Sequence, residues 1–570
     1  MVRLTAPIAF RRALPLLLFL FTLTATACCL LINISSFPLN FFCDEGLHLS
    51  EARSLLKTGT DVHGVRWPLF FRATGAYEFG FSVYLQLPFS LILGPTEQSV
   101  RIKTAVVCVM LSGVMALILR RARNIDAWSL VPLAIFCSPL FFIIARTGYQ
   151  APIAVLLYGI ALSAFLAWRA TQAEDRSKLL YVAALAALLS AYTYTAARGW
   201  VAVTALVLGL LDRRALWERR SEARGPTILF VLGCVPLVQF LLQAPDDFFE
   251  RLSQLRKEAV TREPLTFMRI IGNVATALSP SFWFGESLQL GFAGGERYRL
   301  PGLPYLPRAF SLVALLGLLR LVRHRDRLVA ACLVAMVCAG LVPAAFLEIK
   351  PLRCFPLWLA VIFLVVLGLG QLLLWAKSAR RPGLLRAVVV AALLSLLLYQ
   401  THWANHRARD FVGHYGFGGV ELGAREAGAW LQAHSSEYLR VYVTPRVFTK
   451  PVESLEAFFE DARQRVEVLT LSELCRADFE SAFVPFDKMV LITRRPMSEL
   501  PACGLRYSLQ EAIFSPRGVP VLSIIRASLP LGSRPSAKPA TTCMGTGPSR
   551  RSLGARCPTR GINDLKRLYL

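Results

Sequence analysis

The sequence is poor in charged residues, and poorest in acidic ones. Asp, Glu, Lys and Arg make up only 18% of its 570 residues, and 37 acidic residues stand against 63 Lys and Arg. Hydrophobic residues account for 55% of the chain, and the mean hydropathy is +0.50. A soluble protein of this length does not bury so much apolar surface. The composition therefore excludes a string of soluble domains and indicates an integral membrane protein.

The sequence also lacks the spacings that mark a zinc centre. Its 13 cysteines include no Cys-x-x-Cys pair and no Cys/His cluster, and most lie in or beside apolar segments, where Cys behaves as a small hydrophobic residue. Cys475 and Cys503, in the polar C-terminal part, could form a disulfide. The net charge of +26 does not indicate nucleic-acid binding, because the Arg residues flank apolar segments instead of forming one basic face.

Eleven apolar segments are predicted to cross the membrane. Most have roughly 17–23 residues, the length that crosses a bilayer core, and 198–211 is shorter. The first follows three arginines and is too long for the hydrophobic region of a signal peptide, so we expect it to remain as a span. A further apolar piece, 81–93, is too short to cross alone and is expected to be re-entrant or interfacial. The eleven predicted spans are 13–34, 98–119, 128–144, 150–168, 179–195, 198–211, 226–243, 308–320, 328–346, 354–376 and 384–402.

The distribution of Lys and Arg predicts the side of the membrane on which each loop lies. If the N-terminus is cytoplasmic, the cytoplasmic segments carry 22 Lys and Arg. The short outside turns carry only four, which are Arg146, Arg198, Lys350 and Arg353. We therefore expect two long extracytoplasmic loops, at 35–80 and 244–307, and an extracytoplasmic C-terminal part. The protein as a whole is expected in the plasma (inner) membrane of the cell.

The composition becomes that of a soluble protein after residue 402. Strand-like runs at 439–443, 466–469, 488–493 and 519–525, with a helical segment at 421–432, predict a small α/β domain over 403–527. Residues 528–570 are rich in Ser, Pro, Gly and Arg and are predicted to be a disordered basic tail. The predicted fold is thus an all-α polytopic membrane module, 1–402, with about 11 transmembrane helices and a small C-terminal extracytoplasmic α/β domain.

Two adjacent carboxylates, Asp44 and Glu45, directly follow the first predicted span. Charged groups at the membrane surface are costly to bury, so such residues are usually functional or paired. A purely structural explanation is also available, because Asp44 would suit a helix N-cap and Glu45 a first helical turn. His48 lies one turn further on, and one His with two acids could bind a divalent cation.

The segment around this acid pair resembles a known family. The run Asp44-Glu45-x-x-His48-x-x-x-x-Arg53-x-Leu55-Leu56-x-x-Gly59 is similar to the first periplasmic loop of the GT-C glycosyltransferases. Among these it most resembles the dolichyl-phosphate-mannose–protein mannosyltransferases and the aminoarabinose transferases of lipid A. Further similar pieces are Leu93-Gly94-Pro95 with Val100-Arg101, the Tyr-rich segment 191–198, and Lys350-Pro351-Leu352-Arg353-Cys354.

The resemblance spans roughly residues 10–400 and has two departures. Cys354 stands where Tyr is usual in the family, and the end of the first loop differs. The aminoarabinose transferases carry Glu-Lys-Pro near the end of this loop, whereas Tyr77-Glu78-Phe79 stands in that region here. The Glu therefore has a match and the Lys has none. The identity of the sugar and the contact to the phosphate are accordingly not carried over from the family.

The resemblance implies transfer of a sugar from a polyprenyl-phosphate donor to a hydroxyl of a lipid, glycan or protein acceptor on the extracytoplasmic face. Asp44 would be the general base, and Glu45 or Glu78 would orient it or stabilise an oxocarbenium-like transition state. Cations at the outer rim would stabilise the departing lipid phosphate. No cofactor is required by the pattern, although a divalent cation is possible. The candidate substrate-binding residues are Arg53, Glu78, Tyr194, Arg198, Lys350 and Arg353.

Several alternatives to this interpretation stay open at the level of sequence. Arg53 would also suit solvation of a juxtamembrane helix, and Arg198, Arg353 and Tyr194 would also suit anchors at the membrane–water interface. A transporter or flippase of lipid-linked sugars would place its charges and broken helices at the midplane of the membrane, and would often show inverted repeats. A non-enzymatic membrane scaffold would leave the acid pair Asp44-Glu45 unexplained.

Overall fold

The apolar segments of the sequence form long helices that pack side by side. The computed structural model describes residues 8–35, 37–38, 41, 43–73, 76–122, 127–172, 176–246, 266–285, 300, 302–347, 349–378, 382–407, 423–444, 455, 458–459, 462–468, 489–493, 500, 506–514 and 520–528. The predicted tail beyond Ser528, the pair Cys475 and Cys503, and much of the second long loop lie outside these ranges.

The described helices follow the predicted spans closely, because long apolar runs satisfy their backbone polar groups within one segment. In chain order the helices of the membrane part are α1 (Ile8–Leu31), α2 (Cys43–Thr58), α3 (Phe81–Leu93), α4 (Glu97–Leu119), α5 (Val131–Phe136), α6 (Pro139–Ile144), α7 (Ala151–Ala170), α8 (Ser177–Ala191), α9 (Thr195–Leu211), α10 (Arg213–Glu218), α11 (Arg220–Gln243), α12 (Phe267–Leu278), α13 (Pro280–Phe284), α14 (Arg308–His324), α15 (Arg327–Phe346), α16 (Phe355–Ser378) and α17 (Pro382–His402).

Seven of the described helices are long and apolar enough to cross a membrane by length and composition. They lie in α1, α4, α7, α11, α15, α16 and α17. The other four predicted spans are the shorter helices α8, α9 and α14, of 15 to 17 residues, and the broken segment 128–144. The chain is a polytopic helical membrane protein, as its hydropathy predicts.

The prediction of one continuous span at 128–144 was wrong. A 3₁₀ turn (Trp128–Leu130) leads into α5, and the helix breaks at Cys137 and Ser138 before α6. Pro139 lacks a backbone N–H and disfavours a helical conformation in the residue before it. The Ser138 hydroxyl caps α6, donates to the Tyr305 carbonyl at 2.8 Å and accepts from Trp358 Nε1 at 2.9 Å. The break is therefore tolerated inside the bundle because its polar groups are paired.

Helices α14 and α16 approach each other backbone to backbone at two glycines. A Cβ atom placed on Gly317 would lie 2.0 Å from the Leu364 carbonyl oxygen, and one on Gly368 would lie 2.0 Å from the Val313 carbonyl oxygen. Small residues allow such close contact between membrane helices, where packing replaces the hydrophobic effect as the main attraction. The two glycines thus set the distance between these helices.

The C-terminal part contains a mixed five-stranded sheet. Helix α18 (Ala424–Ala433) precedes β3 (Arg440–Val443), and α19 (Ala462–Arg465) precedes β4 (Val466–Val468); β5 (Met489–Thr493), β6 (Arg506–Phe514) and β7 (Pro520–Ser528) follow. The strand order is β4-β3-β5-β7-β6, with β3 parallel to β4 and β5, and β7 antiparallel to β5 and β6. The sequence predicted four of these strands and missed β6. The limits proposed for this domain, 403–527, stay a prediction.

The first long loop, 35–80, has regular structure of its own. It contains helix α2 and a hairpin formed by β1 (Phe70–Ala73) and β2 (Ala76–Phe79). Phe70 of the hairpin stacks on Tyr192 and Phe240, with ring centroids 6.3 and 4.6 Å apart. The loop therefore lies across the ends of several helices and contacts the turn after α8 and the end of α11.

The contact between α14 and α16 gives a prediction about stability. We expect Gly368→Ala to lower the stability by about 1–3 kcal/mol, because the added methyl overpacks a backbone contact. Thermal unfolding of the detergent-purified protein measures the change. Gly209→Ala in α9 is the matched control, because no atom lies within 4 Å of its added Cβ. Equal unfolding midpoints for Gly368→Ala and the wild type would show that the helices separate at no cost.

Candidate active site

Arg101 lies near the start of α4 and is fully buried. Its Nη1 atom donates to the carbonyl oxygens of Ile34 at 3.2 Å and Pro38 at 2.9 Å. A buried guanidinium group is tolerated only when its N–H groups are paired. Arg101 therefore fixes the backbone that leads from α1 into the loop carrying the acid pair.

Arg146, in the turn between α6 and α7, is also fully buried and holds the same stretch of chain. Its Nη2 atom donates to the carbonyl oxygens of Ile32 at 2.8 Å and Phe37 at 3.2 Å, and its Nη1 atom donates to that of Cys29 at 3.2 Å. Burial, and then the neighbouring Arg101 charge, lower the pKa of the Arg146 guanidinium to about 9. The two arginines, called here the arginine pair, thus both donate hydrogen bonds to backbone carbonyl oxygens between residues 29 and 38.

Glu45 connects the arginine pair to helix α2. Its side chain is fully buried, and its Oε1 atom accepts from Arg101 Nε at 3.1 Å and from the backbone N–H of Gly148 at 2.8 Å. One turn further along α2, His48 Nδ1 donates to the Gly148 carbonyl oxygen at 3.0 Å. A Cβ atom on Gly148 would lie 2.2 Å from Val100 and 2.9 Å from Glu45. Only glycine therefore fits beneath the first turn of α2.

Lys103 adds a second cation below Glu45. Its side chain is fully buried, and Nζ donates to Ser82 Oγ at 3.1 Å at the start of α3. The Glu45 carboxylate also attracts this ammonium group. Arg101 and Lys103 point in different directions from α4. Arg101 binds Glu45 of α2 and Lys103 binds Ser82 of α3, which ties α2, α3 and α4 together at one end of the bundle.

Asp44 differs from its neighbour in its exposure. It lies in the first turn of α2 and is partly exposed, whereas Glu45 is fully buried. The dipole of a helix favours a negative charge at its N-terminus. Of the two adjacent carboxylates, Asp44 is therefore the more accessible one, and Glu45 is the one that binds Arg101 and Gly148.

Tyr194 and Arg353 meet around a buried tryptophan on the same end of the bundle. Trp200 Nε1 donates to the Arg353 carbonyl oxygen at 3.0 Å, and its ring centroid lies 5.7 Å from that of Tyr194. Tyr194 also packs edge-on against Tyr149, which directly follows Gly148. The turns 145–150 and 349–354, both next to predicted outside turns, and the segment 192–195, at the end of the predicted span 179–195, are thus brought together next to the acid pair.

The remaining candidates lie in or beside the hairpin and the turns described above. Arg198 lies in α9 near Tyr192, whose ring stacks on the hairpin of the first loop. In that hairpin Glu78 pairs in register with Phe71. Lys350 is partly exposed, and its carbonyl oxygen accepts from the backbone N–H of Arg353 at 3.0 Å.

Arg53 is the candidate that the fold places farthest along α2 from Asp44. Nine residues separate the two, which corresponds to about 13 Å along a helix axis. Arg53 Nη2 donates to the Pro95 carbonyl oxygen at 3.4 Å, in the turn between α3 and α4. This contact suits a role in holding the turn, and substrate binding by Arg53 stays a prediction.

The sequence left a divalent cation at the acid pair possible. The part of the chain that the structure describes contains no cluster of ligands for one. Within those residues no three His, Cys, Asp or Glu side chains are grouped as metal ligands. Glu45 and His48 both bind the backbone of Gly148 instead.

Sequence reasoning missed several residues that build the site. Arg101 entered only as part of a resemblance, and Arg146 only as an outside charge. Glu97, Lys103 and Gly148 were not singled out. A basic residue six positions inside an apolar span, such as Lys103, is itself a signal of a buried, functional charge.

Comparisons with known proteins identify the fold. Neither protein-family models nor curated protein sequences gave a match. Among solved structures, ArnT from Cupriavidus metallidurans in the apo state matches with a TM-score of 0.52 at 13% identity, covering 89% of this chain and 97% of that one. ArnT bound to undecaprenyl phosphate matches over the same shares at 13% identity, with a TM-score of 0.51.

An archaeal protein gives a second match of the same kind. The oligosaccharyltransferase of Archaeoglobus fulgidus in its apo form matches with a TM-score of 0.50 at 12% identity, covering 92% of this chain and 76% of that one. At these identities the likeness concerns the fold. The chain has the GT-C fold of polytopic membrane proteins, as the resemblance of its first loop indicates.

The different burial of the two carboxylates gives a prediction. Glu45→Ala is expected to lower the stability by about 3–5 kcal/mol, because it removes a buried partner of Arg101. Asp44→Asn, at the adjacent and partly exposed position, is expected to cost about 1 kcal/mol or less. Thermal unfolding in detergent compares the two variants. Similar losses for both would contradict the division between an exposed carboxylate and a supporting one.

Proposed function

We propose that this protein is a membrane glycosyltransferase that transfers a sugar from a polyprenyl-phosphate donor to a hydroxyl group of a lipid, glycan or protein. The observation that carries the proposal is the placement of Asp44. This partly exposed carboxylate stands at the start of α2 and is supported from below by the ion pair of Glu45 and Arg101. The shared fold with ArnT, which has been crystallised with undecaprenyl phosphate, supports the class of donor.

The reaction needs one base and one leaving group. In the proposed step the acceptor oxygen forms a bond to the anomeric carbon of the sugar while the bond from that carbon to the phosphate oxygen breaks. The proton of the acceptor hydroxyl passes to the Asp44 carboxylate, and the polyprenyl phosphate departs with the bonding electrons. Attack opposite the leaving group inverts the anomeric centre.

Negative charge grows on the lipid phosphate as it departs. Fixed cations that are already in place stabilise such charge without reorganisation. The proposed cations are Arg198, Lys350 and Arg353, which lie in or beside turns at the same end of the bundle as Asp44, with Tyr194 beside them. A guanidinium group offers two parallel hydrogen bonds to a phosphate, which favours the two arginines for this role.

Glu45 supports the base and does not itself react in this proposal. It is buried and holds Arg101 and Gly148, so its position is fixed before the substrate arrives. Preorganisation of this kind keeps the reacting groups in productive geometry. We place the reaction on the extracytoplasmic face of the plasma (inner) membrane, with the domain at 403–527 on the same side.

The decisive test is transfer of labelled sugar from synthetic polyprenyl-phosphate sugars by the protein in nanodiscs. Asp44→Asn is expected to lower the turnover by about 10²–10⁴-fold, because an amide cannot accept the proton. The control is Glu467→Gln, which removes an exposed carboxylate from strand β4 and should leave the turnover unchanged.

Two results would overturn the proposal. Unchanged turnover in Asp44→Asn would show that another group is the base. Movement of intact lipid-linked sugar across liposomes by the wild type, without transfer to an acceptor, would identify a flippase instead.

A further inference from the structure

A residue of the C-terminal part contacts the helix that supports the acid pair. Arg425, in α18, donates to both carboxylate oxygens of Glu97, from Nε to Oε2 at 2.9 Å and from Nη2 to Oε1 at 2.6 Å. Glu97 lies in the first turn of α4, and 328 positions separate the two residues in the sequence. A two-point contact of this geometry is among the stronger ion pairs found in proteins.

The position of Arg425 in its own helix points to the importance of this partner. Arg425 lies in the first turn of α18, where the helix dipole disfavours a positive charge. Glu97, in contrast, lies in a first turn that favours its negative charge. The ion pair therefore offsets the unfavourable interaction of Arg425 with the dipole of its own helix.

Glu97 is shared between the C-terminal part and the site. Its Oε1 atom also accepts from Arg101 Nη2 at 2.9 Å, and Arg101 Nε in turn donates to Glu45 at 3.1 Å. The exposed fraction of the side chains falls along this series, from 38% at Arg425 to 12% at Glu97 and 0% at Arg101 and Glu45. A continuous chain of ion pairs thus runs from the surface of the C-terminal part to the residue beneath Asp44.

The nitrogens of Arg101 are divided between the backbone and two carboxylates. Arg101 Nη1 is engaged by backbone carbonyls, so Glu45 and Glu97 divide the Nε and Nη2 positions. While Arg425 occupies both oxygens of Glu97, that carboxylate takes only Nη2. Without Arg425, the carboxylate of Glu97 would be able to rotate and to accept from both Nε and Nη2 of Arg101. In this usual bidentate arrangement it would compete with Glu45 for Nε.

Two further contacts connect the chain after α17 to the same loop. Phe458 packs edge-on against Phe41, three residues before Asp44, with ring centroids 5.1 Å apart. Asn405, in the π-helix Trp403–Arg407, accepts from Arg146 Nη2 at 3.4 Å through its side-chain oxygen. Both members of the arginine pair are therefore linked to residues that follow α17 in the chain.

We propose that Arg425 is a positioning residue, through which the docked C-terminal part holds Glu45 and hence the base Asp44 in the reactive geometry. This inference rests on the proposed function and deepens it. It assigns the C-terminal α/β part a role in turnover, acting through Glu97 and Arg101 and without any contact to the reacting atoms.

The test compares Arg425→Gln with Arg425→Lys and a matched control in the full-length protein. Arg425→Gln is expected to lower kcat for sugar transfer about five- to tenfold, with little change in KM for donor or acceptor, because coupling of this size is common between paired residues. Arg425→Lys should recover part of the loss, because an ammonium group still occupies Glu97. The control Arg440→Gln breaks an exposed pair with Glu467 in the same sheet and should change neither constant.

Hydrogen exchange provides a readout that does not depend on activity. Arg425→Gln is expected to raise exchange in peptides covering α2 and in the backbone amide of Gly148, which Glu45 binds, while the unfolding midpoint stays at the wild-type value. Phe458→Ala should raise exchange over the same peptides. Unchanged exchange in α2 for both variants would overturn the inference, as would a kcat equal to that of the wild type in Arg425→Gln.

The two proposals fail in different ways. If the wild type transfers no sugar from any polyprenyl-phosphate donor, the proposed function is wrong. The exchange measurement then still decides whether Arg425 positions α2. If transfer occurs and Asp44→Asn abolishes it, but Arg425→Gln behaves like Arg440→Gln, only the role of Arg425 is wrong.

Discussion

The structure of the site depends on one constraint, which is the burial of two guanidinium groups in an apolar bundle. Removing a charge from water costs several kcal/mol per ion unless hydrogen bonds and opposite charges replace the water. Arg101 and Arg146 meet this cost with the backbone carbonyls of residues 29–38, with Glu45 and Glu97, and with Asn405. Because those carbonyls belong to the segment that enters α2, pairing the arginines also fixes the position of the acid pair.

The same constraint explains why two adjacent carboxylates have different surroundings. Glu45 is the counter-charge that the buried cations need, so it lies in the interior and is bound on several sides. Consecutive residues of a helix point about 100° apart, so Asp44 cannot share that direction and faces the more open side. Because Glu45 binds Arg101, helical geometry turns Asp44 away from the interior. One of the two adjacent acids is therefore buried and the other is accessible.

The parts of the fold that were predictable are those with a local signal. Ten of the eleven spans correspond to unbroken helices because a long apolar run has few other ways to satisfy its backbone. The break at Ser138 was missed although Pro139 marks it, because the hydropathy of 128–144 stays high through the break. Strand β6 was missed because its sequence, with exposed Leu509, lacks a regular alternation of apolar and polar residues.

The site was predictable only in part, for a related reason. The acid pair stands out because two charges follow an apolar run, and Arg353 and Tyr194 stand out because they lie at predicted turns. The residues that support the acid pair come from distant parts of the chain. Glu45 and Gly148 are 103 positions apart, and Arg146 and Asn405 are 259 apart. Contacts over such separations leave no pattern in a single sequence, so they emerge only from the packed helices.

The depth of these charges bears on the choice between a transferase and a transporter. Lys103, the deepest of the buried cations near Asp44, lies six residues into α4, or about 9 Å below its first residue. At the opposite ends of the helices, Arg169 pairs with Asp212 and Arg176 with Glu222. In the helices that the structure describes, charged residues thus form two layers near the ends and leave the middle apolar. A transporter needs its polar site near the midplane, where both sides can reach it in turn. The charged layer that surrounds Asp44, at one rim of the bundle, suits a reaction between a lipid-anchored donor and an acceptor that meet at that surface.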